Sequence, residues 1–259
     1  IAVDPSSPFS GGALLGDRVR MNELAGDKGI FIRSLASRGS LGGLAKAANQ
    51  MAKLLDAAGY NLVLIETVGA GQSEVDIVHT AHTTVVIEAP GMGDGVQSIK
   101  AGILEIADIL VVNKADVPGS AKTVNHLKNM LHLGPLGGTR HHGRILNEIT
   151  LSEAQSDEIW QIPVIATSAT TGDGIDSLAN TILNHRTHLE THNQWVQREI
   201  DRSNQEVTQL VQERLLKYLN EKVPQAMMQE KITAVAKREI DLYSAVDALL
   251  QQLEGKNNG

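Results

Sequence analysis

Short apolar runs alternate with helical patterns from the first residue to His192. The runs are Ile1–Val3, Ile30–Ile32, Leu62–Ile65, Val85–Ile87, Ile109–Val112 and Val164–Ala166. Continuous rather than alternating apolar runs are typical of parallel strands that are buried on both faces. Between the runs, apolar residues recur every three or four positions from Leu41 to Leu55, followed by Gly59 as a stop, and Ser98–Ala107 and Ser177–Leu183 also fit helices. The pattern predicts an α/β fold with a mostly parallel sheet flanked by helices.

The pattern changes after His192, where the strand signals end. One helical stripe runs from Val207 to Leu219 and stops before Pro224, and a second runs from Ile232 to Val246. We therefore predict a first domain over residues 1–192 and a C-terminal helical arm over residues 193–259. The apolar faces of the arm fit helices packed on the first domain and fit a dimerisation arm equally well. The working prediction is an arm that joins two copies of the chain.

Composition narrows the class of protein. Of 259 residues, 42% are hydrophobic, so the chain can bury a core. There is no cysteine, which excludes disulfides and thiolate metal sites. A formal net charge of −7 gives no support for nucleic-acid binding. No apolar run approaches the length of about 20 residues that a bilayer-spanning helix needs. We expect neither nucleic acid nor a membrane as a partner.

The clearest chemical motif directly follows the run Ile109–Val112 and has the sequence Asn113-Lys114-Ala115-Asp116. Ligands of open α/β sheets bind at the carboxyl ends of the strands. There, the Asp116 carboxylate can accept hydrogen bonds from the N1–H and the exocyclic amine of guanine, a donor pair that adenine lacks. Asn113 can tie the base to neighbouring loops, and the stem of Lys114 can lie over the purine ring.

A second candidate segment, Ser168-Ala169, follows the next strand. A small residue at this position lets a backbone amide approach the guanine carbonyl oxygen. The segment is weak evidence alone, but its position after the first motif supports a guanine site.

Three carboxylates predict a magnesium site. Asp4 follows Ile1–Val3, Glu66 follows Leu62–Ile65, and Asp17 lies between them in the chain. Mg²⁺ prefers oxygen ligands and usually shares them with substrate phosphates. A turn cap is the alternative for Asp4. For Asp17, spacing alone favours a surface ion pair with a nearby arginine.

A glycine-broken loop follows Glu66 and suggests phosphate chemistry. Gly69 and Gly71 let backbone amides approach a γ-phosphate, and Gln72 is placed either to orient the attacking water or to cap the next helix. Lys100 follows a second glycine-rich loop and is either a charge supplied to the phosphates or a solvated helix lysine. The nine histidines show no recognisable metal pattern, so we expect them at the surface.

Six motifs occur in a fixed order along the chain. They are DPSSPFSGG at 4–12, LGDRVRM at 15–21, SRGSLGGL at 37–44, ETVGAGQSE at 66–74, PGMGDGVQSIK at 90–100 and NKAD at 113–116. Together they closely resemble the MeaB/ArgK family of P-loop GTPases, which includes the methylmalonic aciduria type A proteins. The resemblance covers nearly the whole chain, including the helical tail with Trp195. It implies a SIMIBI-class P-loop G domain with a C-terminal dimerisation arm.

The resemblance also implies an activity and a partner. Members of this family bind GTP and Mg²⁺, hydrolyse GTP slowly, and act as chaperones that gate cofactor loading of an adenosylcobalamin-dependent mutase, typically methylmalonyl-CoA mutase. The expected location is cytoplasmic, or the mitochondrial matrix in a eukaryote. By position, the magnesium-site carboxylates are Asp4, Asp17 and Glu66, switch II is Gly69–Glu74, the switch that answers the mutase is Gly91–Lys100, and the guanine site is Asn113, Lys114, Asp116, Ser168 and Ala169.

One departure concerns the phosphate loop of the family, G-x-x-G-x-G-K-[ST], which has no match in these 259 residues. Ile1–Val3 resembles the tail of a strand already under way, so we expect an N-terminally truncated chain. Because the amides and the lysine of that loop hold the phosphates, we expect this chain to bind GTP weakly and to hydrolyse it negligibly. The alternatives are a non-catalytic dimeric partner-binding module and a nickel-inserting GTPase, although the latter's cysteine-bearing motif is absent.

Overall fold

The computed structural model describes residues 1–4, 21, 24, 26–36, 43–67, 80–91, 106–133, 140–141, 144–145 and 159–254. The strands in this part of the chain are β1 (Ala2–Asp4), β2 (Ser34–Ala36), β3 (Glu66–Thr67), β4 (Val85–Glu88), β5 (Ile109–Val112), β6 (Arg140–His141), β7 (Arg144–Ile145) and β8 (Val164–Ala166). The helices are α1 (Gly43–Ala57), α2 (Ser120–Leu133), α3 (Ile175–Thr191), α4 (Gln194–Lys222), α5 (Gln225–Ala236) and α6 (Leu242–Glu254). The predicted α/β fold with parallel strands and flanking helices is confirmed.

The described chain divides into two compact units, Ile1–Arg198 and Glu199–Gly259. The division falls inside α4, which begins in the first unit and continues into the second. The first unit contains all of the strands given above, and the described part of the second consists of helices and the turns between them. No helix among the described residues is both long enough and apolar enough to cross a membrane.

One parallel sheet of the first unit has the strand order β4-β5-β8. Val85 pairs with Ile109 and Leu110 pairs with Val164, so the three strands run side by side in one direction. All four residues of β5 are buried, as expected for the central strand of a covered sheet. Leu127 of α2 packs on this sheet against Leu110 and Val112 and is fully buried. This packing fixes the carboxyl end of β5, where the predicted guanine motif begins.

A second parallel sheet has the order β2-β1-β3. Its core is small: Val3 of β1 and Ala48 of α1 are buried together, with Leu35 and Ile65 packed around them. Helix α1 ends as predicted, because Gly59 adopts a φ of 89° and its amide donates to the Asp56 carbonyl at 2.9 Å. An antiparallel pair, β6 with β7, completes the described strands.

Two strand predictions in this second sheet are wrong in position. Residues 30–33 lie outside any strand, and the strand forms at Ser34–Ala36 instead. Likewise Leu62–Ile65 is not a strand, and Leu62 and Leu64 are exposed. The reason is register: pairing with β1 starts at Ala2, and Ala2 lies opposite Ser34 on one side and opposite Glu66 on the other. Glu66 therefore lies inside a strand rather than beyond its end.

The helical pattern after His192 is largely as predicted, with one correction. The first stripe lies on α4, which ends at Lys222, two residues before Pro224. The second stripe is divided between α5 and α6, because Arg238 adopts a φ of 60° and interrupts the helix. Asp241 then begins α6 by accepting the Ser244 amide at 3.0 Å.

Candidate functional site

Asn113 connects the loops at the carboxyl ends of β5 and β8. Its side-chain oxygen Oδ1 accepts a hydrogen bond from the Ala169 amide at 3.2 Å and another from the Thr167 hydroxyl at 3.3 Å. Its own amide donates to the Glu88 carbonyl at the end of β4, at 2.8 Å. One side chain and one amide therefore hold the ends of all three strands of this sheet together.

The loop after Asn113 is fixed by backbone contacts. Lys114 adopts a φ of 59°, which is uncommon for a residue with a side chain. The Ala115 amide donates to the Thr167 carbonyl at 2.9 Å, and the Ser120 hydroxyl donates back to the Ala115 carbonyl at 2.9 Å. The loop thus stays next to the end of β8 and leads directly into α2.

Asp116 is exposed at this edge of the sheet. Hydrogen bonding from the Ser168 side chain, then from the backbone of Asp116 itself, outweighs the effect of desolvation and holds the pKa of the Asp116 carboxyl below its usual value of 3.8. At neutral pH the group is therefore an ionised carboxylate, which only accepts hydrogen bonds. An exposed, ionised acceptor pair is the arrangement that a ligand with two adjacent N–H donors requires.

The loop after β8 is a tight turn. The Ser168 amide donates to the Asp173 carbonyl at 2.9 Å, and the Gly172 amide donates to the Ser168 carbonyl at 2.8 Å. Gly174 adopts a φ of 75°, and a Cβ atom there would lie 2.1 Å from the Ala166 carbonyl oxygen. Only glycine permits this close approach, which brings the start of α3 against the end of β8.

The guanine-site residues predicted from the sequence, Asn113, Lys114, Asp116, Ser168 and Ala169, all lie in these two adjoining loops. The Ala169 amide, predicted to face the guanine carbonyl oxygen, donates to Asn113 Oδ1. A contact with the base would require that hydrogen bond to be shared or lengthened.

The predicted magnesium ligands are only partly described. Asp4 ends β1 and Glu66 begins β3, and Ala2 of β1 lies opposite Glu66, so the two carboxylate-bearing residues lie on neighbouring parallel strands. Glu66 is exposed. Asp17, Gly69, Gly71, Gln72 and Lys100 lie outside the described residues. Among the described residues alone, no group of three or more metal-ligating side chains comes together. Carboxylates on adjacent strands are the donor type that Mg²⁺ prefers.

The sequence interpretation missed two residues at the site. Thr167 supports Asn113 through its hydroxyl and is buried. Glu88 lies at the end of β4, half-buried, and burial raises the pKa of its carboxyl. Both follow apolar runs directly, so their positions at strand ends were the available signal.

The histidine prediction is wrong for His185, which is fully buried. Its Nε2 lies 3.4 Å from Asp108 Oδ1, and its Nδ1 lies 2.9 Å from the Thr83 hydroxyl. His185 and Leu189 are four residues apart on the buried face of α3. The 3–4 spacing of apolar residues in α3 was the signal for this burial.

The chain is similar in structure or in sequence to several known proteins. A solved structure titled as a LAO/AO transport system kinase superposes with a TM-score of 0.64 at 23% identity, covering 98% of this chain and 70% of that one. This likeness concerns the fold alone. A putative GTPase of Pyrococcus abyssi is 43% identical over 98% of this chain and 74% of its own length. The mouse protein named methylmalonic aciduria type A homolog, mitochondrial, is 30% identical over 99% of this chain and 58% of its own length.

The chain is an α/β protein with two adjoining loops at strand ends, and its relatives include a protein named a putative GTPase. Residues 1–224 match the family described as methylmalonyl Co-A mutase-associated GTPase MeaB. The chain belongs to the MeaB family.

Proposed function

We propose that this chain binds guanine nucleotides at the carboxyl ends of β5 and β8. The observation that supports this most is the junction made by Asn113, which bonds to Ala169 and Thr167 across the two loops. The junction holds Asp116 and Ser168 side by side, with Asp116 exposed to a ligand.

In the proposed complex, the Asp116 carboxylate accepts the N1–H and the exocyclic N–H of guanine. The Ser168 hydroxyl helps to keep that carboxylate ionised, and the stem of Lys114 covers one face of the purine ring. Adenine presents an acceptor where guanine presents N1–H, so it would leave the carboxylate facing a lone pair. The pocket therefore selects guanine by hydrogen-bond polarity rather than by size.

We propose that the protein hydrolyses GTP with Mg²⁺ held by Asp4, Asp17 and Glu66. Bound Mg²⁺ supplies charge neutralisation at the phosphates. Gly69 and Gly71 would present amides to the phosphates, Gln72 would orient water, and Lys100 would add positive charge. Since these 259 residues contain no G-x-x-G-x-G-K-[ST] sequence, we propose that alone they turn over GTP negligibly.

The proposed partner is an adenosylcobalamin-dependent acyl-CoA mutase, such as methylmalonyl-CoA mutase, for which the protein acts as a chaperone in the cytoplasm or the mitochondrial matrix. The family description, methylmalonyl Co-A mutase-associated GTPase, supports this assignment.

We also propose a homodimer formed through the helical arm. Helix α4 has 29 residues and no buried residue, and most of its apolar side chains, including Leu210, Leu215 and Leu216, are exposed.

Competition binding tests the nucleotide assignment. A fluorescent GDP analogue is displaced from the chain by GDP, IDP and ADP in parallel titrations. We expect the order GDP, then IDP, then ADP, because IDP retains N1–H but lacks the exocyclic amine. Equal displacement by GDP and ADP would refute the guanine site.

The mutase assignment is tested separately by affinity capture with a non-hydrolysable GTP analogue: recovery of a mutase subunit supports it, and recovery of a urease or hydrogenase subunit contradicts it.

A further inference from the structure

A buried charged cluster lies at the opposite end of β5 from the guanine motif. Asp108 directly precedes β5, and its side chain is fully buried. Its Oδ1 lies 2.9 Å from Nη2 of Arg198, and its Oδ2 lies 3.2 Å from Nη1 of the same side chain. Such two-point pairing is the strongest geometry for an arginine–carboxylate contact. The Thr84 amide adds a third hydrogen bond, to Oδ2 at 2.8 Å, and His185 lies 3.4 Å from Oδ1.

Asp108 also binds the segment that leads into β8. The indole Nε1 of Trp160 donates to the Asp108 carbonyl at 2.8 Å. Thr84 immediately precedes β4 and Trp160 lies four residues before β8, so Asp108 joins the start of β5 to the segments that lead into the other two strands. Asn113, directly after β5, joins the ends of the same three strands. Asp108 and Asn113, which flank the central strand, thus connect neighbouring segments at both ends of β5.

Arg198 links this buried cluster to the first turns of α4. It pairs with Asp108 and also donates to the His82 carbonyl. The His82 ring stacks on Trp195 with 3.8 Å between ring centroids and 10° between planes. The guanidinium of Arg186 on α3 lies 5.5 Å from the centroid of the Trp195 ring. The beginning of α4 is therefore held by the segment before β4, by α3 and by Asp108.

We propose that Asp108 is a positioning residue that couples the guanine site to the attachment of α4. The inference rests on the proposed function, since it needs a guanine nucleotide at the far end of β5. Strand β5 is four residues long and buried throughout, so it spans about 13 Å and cannot deform freely inside a close-packed sheet. Ordering the Asn113 loop by a bound base therefore stabilises the Asp108–Arg198 pair, and losing the pair loosens the loop. Coupling of this kind is reciprocal.

Hydrogen exchange of the chain with and without GDP tests this proposal. GDP is added at about ten times its measured Kd, where about nine-tenths of the sites are occupied. We expect slower exchange at residues 113–117, where the base binds, and also at residues 197–202, by about fivefold or more. Protection at 113–117 without any change at 197–202 would overturn the coupling while leaving the guanine site intact. Protection at neither segment would refute the guanine site and, with it, this inference.

Substitution of Arg198 supplies the reciprocal test. Arg198→Lys keeps the charge but loses the two-point geometry, and is a milder change than Arg198→Met if the latter fails to fold. We expect Arg198→Lys to weaken GDP binding by about fivefold or more and to abolish the GDP effect at 197–202, while circular dichroism remains that of the folded chain. The matched control is Arg202→Met, which removes a contact with Glu199 at 3.0 Å on the same helix and should retain both properties. Unchanged GDP affinity and unchanged protection in folded Arg198→Lys would overturn the proposal.

Discussion

Replacing Asp116 with asparagine should change the base preference of this chain from guanine to xanthine. Asp116 is exposed, and hydrogen bonding from the Ser168 side chain keeps its pKa below the usual value, so at neutral pH it presents two acceptor oxygens. Asparagine has nearly the same shape but presents one acceptor and one N–H₂ donor. Its N–H₂ would face the exocyclic amine of guanine, donor against donor, whereas xanthine has a carbonyl oxygen at that position.

The magnitude follows from the number of hydrogen bonds involved. A hydrogen bond to a charged group contributes about 1.5–3 kcal/mol. Because Asp116 is exposed, we take the lower end of this range for each of the two bonds to the base. Losing both bonds should raise the Kd for GDP by about 100-fold. Binding of xanthosine diphosphate should improve in the same variant, since its carbonyl now meets a donor.

Competition titrations of the wild type and of Asp116→Asn with GDP and with xanthosine diphosphate measure this change in base preference. The ratio of the two Kd values is the quantity that matters, because it is independent of how tightly the phosphates are held. Ser168→Ala is a useful control: it removes the hydroxyl that lowers the pKa of Asp116 and bonds to Thr170 Oγ1 at 3.1 Å, and it should weaken both nucleotides modestly without changing their order. A variant Asp116→Asn that keeps the wild-type preference for GDP would refute the assignment of Asp116 to the base.

Three further predictions concern the framework of the site. Gly172→Ala should lower the free energy of unfolding by about 1–2 kcal/mol, the strain of a side chain in the left-handed region. Gly174→Ala should lower it by more, because a Cβ atom at Gly174 would also lie 2.1 Å from a carbonyl oxygen of β8, whereas one at Gly172 would have no neighbour within 4 Å. Leu127→Ala should cost about 2–5 kcal/mol in urea unfolding, whereas Leu183→Ala, at a side chain 60% exposed, should cost about 0.5 kcal/mol or less. Burial alone would raise the pKa of Asp108, but hydrogen bonding and charge from Arg198 outweigh it and lower that pKa below 3.8. The associated stability is therefore fully present above pH 3.8 and is lost as pH falls through the lower value of the folded state.

Each of these predictions has a result that contradicts it. Equal unfolding midpoints for the two glycine variants would show that the close approach to β8 has no energetic effect. Equal losses for the two leucine variants would place the core elsewhere. For the pH dependence, unfolding free energies are measured in acid for the wild type and for Asp108→Asn, and identical slopes would exclude Asp108 as the titrating group.

The sequence predicted the sheet of β4, β5 and β8 well because its central strand, β5, is buried along its whole length. The runs Ile109–Val112 and Val164–Ala166 are strands with the same bounds in the structure. A continuous apolar run has only one low-energy position when every residue in it is covered. Asn113 directly follows the first run and Ser168 lies two residues after the second, and the two residues lie in adjoining loops.

The other sheet was harder to predict because its apolar residues are not all covered. Leu62 and Leu64 are 66% and 67% exposed, so their apolar character did not mark a strand. Register with β1, not hydrophobicity, decided that pairing begins at Glu66. Pattern reasoning carries no information about which residue of a neighbouring strand lies opposite.

Buried polar residues were missed for a related reason. Asp108 adjoins the run Ile109–Val112 and is fully buried, but a lone acidic residue beside an apolar run carries no signal of burial in the sequence. Its burial depends on Arg198, which lies 90 residues away in sequence and pairs with it at 2.9 Å. Such pairs are visible only once the fold brings distant segments together.

The most direct test of the guanine site is a backbone amide chemical-shift titration of the isotopically labelled chain with GDP and with ADP. We expect GDP to move the resonances of Asn113, Asp116 and Ala169 strongly and ADP at the same concentration to move them little. Large GDP shifts confined to other segments, or equal responses to the two nucleotides at these three residues, would contradict it.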